Sequence, residues 1–309
     1  MNTENLTSII KIKAEETLNE KVDNIEKIDQ VINNSAYKIS TGKKDYIFKI
    51  YRSNVWPEDG KLTFVNNKLI ENNIPCAKII TFNRNDDYFT NGFLIEEYIP
   101  GIIAGNLQFT PAEEVVFYKK LSKLVSKINK IKMKNYGYIG GGDAGCCETF
   151  TDYISFAFED HTGNLINRSL FTSDELSDIE NILIEKLEVC NDTPAVLCHG
   201  DIAKRNVIIK ENGELVLIDW DEVLALCWFV DMARFTFWEL RMKYGDDEYN
   251  HYRNVFLESY DSKADKSIYY RMENALHIWH CINYLNVYAG TPKYDRALRY
   301  FKELLEKIK

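Results

Sequence analysis

Three side chains with oxygen atoms flank a short predicted hairpin in the second half of the chain. Asp201 and Asn206 precede the apolar run Val207-Ile208-Ile209, and Asp219 follows a second apolar run. Asn212-Gly213 lies between the runs, and this pair is typical of a type I′ turn, whose central residues both need positive φ. That turn predicts Asn206 directly opposite Asp219, with Cβ atoms roughly 4.5–5.5 Å apart.

A carboxylate and an amide oxygen at that separation suit one hard divalent cation. Mg²⁺ prefers oxygen ligands and completes its shell with water and phosphate. Asp201 lies on the loop before this hairpin, where it can approach a hydroxyl group. Each of the three residues alone is more often a turn or cap residue. All three together, held in place by one apolar hairpin, favour a magnesium site beside a reacting hydroxyl.

The same residues resemble the motif of a known family. His199-Gly200-Asp201, four further residues, Asn206 and then Ile218-Asp219-Trp220-Asp221 are similar to the H-G-D, N and I-D-[WF]-[DE] pattern of the aminoglycoside phosphotransferase and choline kinase-like family. Protein kinases show the same spacing in their catalytic loop. The resemblance covers about residues 25–290, more loosely outside this motif.

The resemblance implies a chemistry as well as a fold. It implies a two-lobed α+β fold like that of protein kinases, and transfer of the γ-phosphoryl group of ATP, or of GTP, to a hydroxyl of a small molecule. Asp201 would be the catalytic aspartate that orients this hydroxyl and takes its proton. Asn206 and Asp219 would hold Mg²⁺ against the phosphates. Few residues suffice because phosphoryl transfer depends on positioning and charge neutralisation.

Further nucleotide contacts follow from the resemblance. Lys49, in an otherwise apolar strand, would grip the α- and β-phosphates, although a lone strand lysine is more often an edge residue. Its acidic partner would be Glu58, which could instead stabilise the dipole of the following helix. Ser35, in the glycine-free loop 32–36, would bond a phosphate. The backbone of Glu97 and Ile99 would bond adenine.

The acceptor is expected to bind in the helical half of the chain. The candidate residues are acidic or aromatic: Asp221, Glu222, Trp228, Glu239, Trp279, His280 and Tyr284. Acidic groups would bind the amino groups of an aminoglycoside, the leading acceptor, and aromatic rings would cage a quaternary ammonium. The alternatives are a metabolic kinase of choline, ethanolamine or an amino sugar, and a catalytically silent nucleotide-binding module.

The pattern of elements changes once along the chain. The first hundred residues predict a small antiparallel sheet of about five strands, with one inserted helix from Pro57 to about residue 72. Pro100-Gly101 predicts a boundary between an N-terminal β lobe, residues 1–100 with a hinge at about 95–101, and a C-terminal helical lobe, residues 101–309. In that second lobe we expect one clear β segment, at 207–218.

Composition narrows the class of protein. The net charge is −9, which is unfavourable for a nucleic-acid partner. The seven cysteines include no CxxC pair, so reduced thiols and a cytoplasmic location are expected. The sequence contains no apolar run of about 18 residues, so a membrane partner is not expected either. The partner that the family resemblance implies is a small molecule with a hydroxyl group.

Overall fold

The computed structural model describes residues 3–28, 34–261 and 263–308. The chain divides into two compact units. The first contains residues up to 103 together with Gly140–Gly142 and Val207–Asp221, and the second contains the remainder. The hairpin predicted for the helical half therefore belongs to the first unit. The α+β class predicted from the sequence is confirmed.

The secondary structure is helix-rich after residue 110. The helices are α1 Thr3–Leu18, α2 Lys61–Glu71, α3 Pro111–Ile128, α4 Phe150–Asn167, α5 Ser173–Leu187, α6 Trp228–Phe235, α7 Asp246–Ser259, α8 Lys266–Val287 and α9 Pro292–Ile308. The strands are β1 Val22–Ile28, β2 Ser35–Thr41, β3 Asp45–Ile50, β4 Ile79–Asn83, β5 Phe93–Glu97, β6 Ile102–Ile103, β7 Tyr136–Ile139, β8 Gly145–Cys147, β9 Val196–Cys198, β10 Val207–Ile209, β11 Leu215–Leu217 and β12 Leu224–Leu226.

The first unit is built on a five-stranded antiparallel sheet of order β1-β2-β3-β5-β4. Alternate residues of a strand point to opposite faces, so β3 presents Phe48 to one face and Lys49 to the other. Phe48 packs with Phe93 and with Ile10 of α1 in one core cluster. Leu62 of α2 belongs to a second cluster. Lys49 of the central strand therefore lies on the face of the sheet that points away from α1.

Helix α2 begins later than the sequence predicts. Its first residue is Lys61, and Gly60 before it has φ 78°. A helix cannot continue through a left-handed residue, so the segment from Pro57 to Gly60 is a turn and the predicted start at Pro57 is wrong. Glu58 therefore lies ahead of the helix rather than in its first turn.

The β10–β11 hairpin has a different turn from the predicted one. Val207 pairs with Leu217, one residue away from the predicted register. Gly213 has φ 75°, while the Oδ1 atom of Asn212 accepts a hydrogen bond from the backbone N–H of Glu214 at 3.0 Å. Because the Asn212 side chain closes the turn locally, the loop has three residues instead of two. The register argument that set Asn206 opposite Asp219 is therefore wrong.

The second unit contains more β structure than expected. Strands β7, β8, β9 and β12 form a four-stranded sheet of order β8-β7-β12-β9. The prediction of a single β segment in this half was wrong because strands of three or four residues show too little alternation to detect. Within residues 3–28, 34–261 and 263–308, no helix has the length and hydropathy that a membrane span requires.

Candidate active site

The loop that carries Asp201 is fixed by a buried carboxylate of α6. Asp231, 1% exposed, accepts hydrogen bonds from the backbone N–H groups of His199 and Gly200, both at 2.9 Å. It also accepts one from Asn129 Nδ2 at 3.1 Å. Buried backbone donors need such acceptors, so Asp231 determines the path of the loop. All three of these contacts hold the loop in place.

Gly200 is required where the loop turns. Its φ is 77°, and a Cβ atom at this position would lie 2.0 Å from the backbone oxygen of Glu222. Only glycine combines this backbone conformation with such a close approach. The glycine of the H-G-D motif therefore determines where the next residue, Asp201, is placed.

The carboxylate of Asp201 is surrounded by hydrogen-bond donors. Arg205 Nη2 lies 2.8 Å from Oδ1 and 2.6 Å from Oδ2, and Arg234 Nη2 lies 3.2 Å from Oδ1. Burial alone would raise the pKa of Asp201, but the charges of Arg234 and Arg205 outweigh it and hold the pKa below its usual value. Asp201 is therefore ionised at neutral pH and can accept a proton from a hydroxyl.

Asn206 presents the atom that a hard cation prefers. Its Nδ2 donates to the backbone oxygen and to Oδ2 of Asp201, both at 2.8 Å. Because the amide nitrogen is used in these bonds, the amide oxygen is the atom that can bind a cation. The donor chemistry of Asn206 therefore fits Mg²⁺.

Lys49 is held by two carboxylates of the segment after β11. Its Nζ lies 2.8 Å from Asp219 Oδ1 and 2.7 Å from Asp221 Oδ2. Burial by itself would lower the pKa of Lys49, but the acidic groups around it, Tyr51, Asp221 and Asp219, raise it well above its usual value. Lys49 thus remains a cation, the form needed to bind phosphate.

Asp219 has the properties of an exposed metal ligand. Its side chain is 47% exposed, and its backbone has φ 65°, a conformation rare for residues other than glycine, asparagine and aspartate. Unusual backbone conformations are concentrated at functional sites. A carboxylate exposed to this degree fits Mg²⁺, which usually retains water ligands.

A small cavity of about 30 Å³ lies beside Lys49 in the first unit. Glu96 of β5 lines it together with Asp219, Asp221 and Tyr51. A cavity of this volume can hold a water molecule. Burial raises the pKa of Glu96 to about 7, although Lys49 opposes the change. No signal in the sequence marks Glu96, because two consecutive glutamates in a strand are typical of solvent-exposed positions.

The predicted partner of Lys49 is engaged elsewhere. Glu58 Oε2 lies 2.9 Å from Lys61 Nζ, so the predicted pair of Lys49 with Glu58 is replaced by pairs with Asp219 and Asp221. The late start of α2 is the reason, since it leaves Glu58 in the preceding turn.

The remaining nucleotide candidates lie at the ends of strands. Ser35 is the first residue of β2, and residues 32 and 33 of the predicted phosphate loop lie outside the described residues. The backbone N–H of Glu97 donates to the carbonyl of Lys78 at 2.9 Å, which leaves its carbonyl as the group for a base. Ile99 follows the end of β5 by two residues.

The acceptor candidates do not form one group. Asp221 belongs to the first unit with Lys49, so its placement in the helical half was wrong. Glu239 is buried and neutralised by Lys243 Nζ at 2.8 Å, and Glu222 is exposed. The aromatic candidates are packed on other rings: Trp228 on Tyr260, Trp279 on His161, and Tyr284 on Trp238. His280 is buried, and burial lowers its pKa well below the usual value.

Two residues near Asp201 were not predicted from the sequence. Arg234 is 33 positions after Asp201, on α6, and its guanidinium lies 4.1 Å from the ring centre of Trp238. Arg205 occupies one of the variable positions of the motif. Arg205 therefore lies within the loop, four positions after Asp201, but the motif does not specify an arginine there. No local pattern links Arg234 to the loop, so only the fold reveals it.

The fold, the loop that carries Asp201 and the carboxylates that hold Lys49 define the class of protein, a kinase-like phosphotransferase. The sequence matches the model of the phosphotransferase enzyme family over residues 24–264, and the chain belongs to that family. No curated protein matches the sequence.

Three solved structures of similar fold come from this class. One is a thermostable mutant of aminoglycoside phosphotransferase APH(4)-Ia in complex with AMP-PNP and hygromycin B, with TM-score 0.67, 14% identity and 97% of each chain covered. The second is an ethanolamine kinase of Plasmodium vivax, with TM-score 0.64, 16% identity, and 92% of this chain and 81% of that chain covered. The third is the choline kinase LicA of Streptococcus pneumoniae, with TM-score 0.60, 15% identity, and 98% of this chain and 99% of that chain covered. At these identities the likeness establishes the fold.

Proposed function

We propose that this protein is a kinase that transfers the γ-phosphoryl group of ATP, or of GTP, to a hydroxyl of a small molecule. The observation that carries the proposal is the ionised carboxylate of Asp201 on a loop anchored by Asp231. Asp201 orients the acceptor hydroxyl and takes its proton. A base fixed in this way contributes mainly through positioning, which suits phosphoryl transfer.

The nucleotide is held by the residues that the family motif implies. Lys49 binds the phosphates, Ser35 donates its hydroxyl to a phosphate, and the backbone of Glu97 and Ile99 binds the base. Asn206 and Asp219 supply oxygen ligands to Mg²⁺. The metal ion, when bound, neutralises charge on the phosphates. The support is the cationic state of Lys49 and the exposure of Asp219.

An aminoglycoside is the leading acceptor. The APH(4)-Ia structure of similar fold contains the aminoglycoside hygromycin B. The net charge of −9 favours a cationic acceptor over an anionic one. Phosphorylation of such an antibiotic would confer resistance, and the seven free cysteines support action in the cytoplasm.

An amino alcohol such as choline or ethanolamine is the second candidate. Trp238, Tyr284 and Tyr288 form a contiguous aromatic group in the second unit, with ring centres 4.4–6.2 Å apart. Arg234 lies over the Trp238 ring at 4.1 Å and Lys293 over the Tyr288 ring at 4.6 Å. The two cations of the chain show that these rings take part in cation–π interactions, and an ammonium group would bind a ring face that these cations do not cover.

A phosphate-transfer screen tests the proposal. The purified protein is incubated with Mg²⁺, ATP or GTP, and a panel of aminoglycosides, choline, ethanolamine and amino sugars, with Asp201→Asn as the control. We expect nucleotide consumption that depends on one acceptor class and is lost in Asp201→Asn. Nucleotide binding without turnover for any acceptor would support a silent module, and undiminished turnover in Asp201→Asn would refute the role of Asp201.

A further inference from the structure

Asp221 is the most tightly held acidic partner of Lys49. Its side chain is 13% exposed, and its Oδ2 lies 2.7 Å from Lys49 Nζ. Two more side chains of the first unit hold the same carboxylate: Asn34 Nδ2 lies 3.2 Å from Oδ2, and the hydroxyl of Tyr51 lies 3.4 Å from Oδ1. Three donors thus converge on Asp221: Lys49 near the end of β3, Tyr51 just after β3, and Asn34 just before β2.

The second partner of Lys49, Asp219, is in a different environment. Its side chain is 47% exposed, compared with 13% for Asp221. A cation that binds Asp219 competes with Lys49 for its carboxylate, whereas Asp221 keeps its three donors. Lys49 therefore needs a partner other than Asp219 if a metal ion is to bind there.

The start of α2 carries a cation close to this cluster. Lys61, the first residue of the helix, is completely buried; its Nζ lies 3.7 Å from the ring centre of Trp56 and 2.9 Å from Glu58. Its charge acts on the carboxylate of Asp221. Glu58 is thus the counter-ion of Lys61. The start of α2 therefore offers Lys49 a positive charge, whereas a partner of Lys49 must carry a negative one.

We propose that Asp221 is the positioning residue of Lys49, and that it does for this chain what Glu58 was expected to do. The inference rests on the proposed nucleotide-binding function of Lys49. Asp221 holds the ammonium group of Lys49 in place from the side of the segment after β11. Asp219 remains available for a metal ion.

Double-mutant cycles without nucleotide test the pairing independently of function. Lys49→Met, Asp221→Asn and the double variant are unfolded in urea, and the same is done with Lys49→Met and Glu58→Gln. We expect the effects of Lys49→Met and Asp221→Asn on the unfolding midpoint to be strongly non-additive, and those of Lys49→Met and Glu58→Gln to add. Additive effects in the first cycle, or coupling only in the second, would overturn the proposal.

Kinetics with nucleotide test the positioning role. We expect Asp221→Asn to raise the KM for the nucleotide about tenfold or more while the KM for the acceptor stays within about twofold. Asp221→Glu should recover part of the loss, since it retains the charge. Asp45→Asn is the matched control. It removes a partly exposed carboxylate that lies 2.8 Å from Lys38 Nζ, and it should leave both KM values unchanged.

The two readouts separate the possible failures. If the wild type binds no nucleotide, the proposed function is wrong, and the urea cycles alone decide whether Asp221 holds Lys49. If Asp221→Asn raises both KM values equally, or Asp221→Glu recovers nothing, Asp221 has only a structural role and the proposal fails. If Asp221→Asn does not fold, Asp221→Glu and its cycle with Lys49→Met provide the same comparison.

Discussion

At the scale of single residues, Arg234 and Arg205 together hold the pKa of Asp201 below its usual value. Arg205 also donates two hydrogen bonds to this carboxylate, at 2.6 and 2.8 Å. Arg205→Ala removes part of the positive charge that keeps the pKa of Asp201 low. The active carboxylate form is lost as pH falls through this pKa, so raising the pKa moves the acid limb of kcat/KM to higher pH. Arg205→Lys retains the charge and should keep the limb near its original position. An unchanged acid limb in Arg205→Ala would contradict this electrostatic role.

The raised pKa of Glu96 predicts that the free energy of unfolding decreases as the pH rises. Its pKa is raised in the folded state from 4.5 to about 7, so between these values the unfolded chain ionises and the folded chain does not. Stability attributable to Glu96 therefore falls as pH rises from about 4.5 to about 7, and then levels off. Glu96→Gln should be more stable than the wild type at pH 8, by at most about 3 kcal/mol.

Urea unfolding of wild type and Glu96→Gln across this pH range measures the effect. The difference between the two proteins isolates Glu96 from every other titrating group. The difference should shrink as pH falls from 8 to 4.5, and a difference independent of pH would show that burial does not control the protonation of Glu96.

At the scale of elements, α6 and the catalytic loop depend on one side chain. Asp231→Ala leaves the backbone N–H groups of His199 and Gly200 without their acceptor. Each buried donor left unsatisfied costs about 1–3 kcal/mol, so the free energy of unfolding should fall by several kcal/mol, with turnover lost as well. Asp231→Asn retains one oxygen and should lose less. Equal losses for the two variants in urea unfolding would argue against the anchoring role.

The elements also show what the sequence could predict. The spacing from Asp201 to Asn206 and the strand around Lys49 are local patterns, and the resemblance built on them led to the correct fold. The hairpin register could not be predicted in this way, since one hydrogen bond from the backbone N–H of Glu214 to the side chain of Asn212 accompanies a three-residue turn in place of a two-residue one. The positive φ of Gly60 is a second local feature of this kind, because it makes α2 begin later than predicted.

The sequence did not predict contacts between residues that are far apart in the chain. Arg234 meets Asp201 from α6, and Asp221 meets Lys49 across 172 positions. Neither pairing leaves a periodic or spacing signal, because the partners lie on separate elements. For this reason Asp221 was predicted as an acceptor residue, although Asp219, two positions before it, was predicted as a ligand of Mg²⁺.

At the scale of the whole molecule, Mg²⁺ and nucleotide should raise the unfolding temperature together. A ligand present at 100 times its Kd stabilises the folded state by about 2.7 kcal/mol. Asp219→Ala should lose the part of this gain that requires Mg²⁺, because it lacks the exposed carboxylate. Thermal unfolding with nucleotide, with and without Mg²⁺, measures the difference. A Mg²⁺-dependent gain of the same size in Asp219→Ala would exclude a metal role for this residue.

The overall charge of −9 bears on the acceptor through its long-range field. A polycationic acceptor is attracted to an acidic protein, and salt screens that attraction by shortening the Debye length from about 10 Å at 0.1 M to about 3 Å at 1 M. Raising the salt across this range should therefore lower kcat/KM for an aminoglycoside about tenfold or more. An N-acetylated derivative of the same compound carries less charge and controls for effects of salt on the nucleotide. If both compounds respond equally, the acceptor is recognised by contacts within the site, and the acidic surface contributes nothing to its selection.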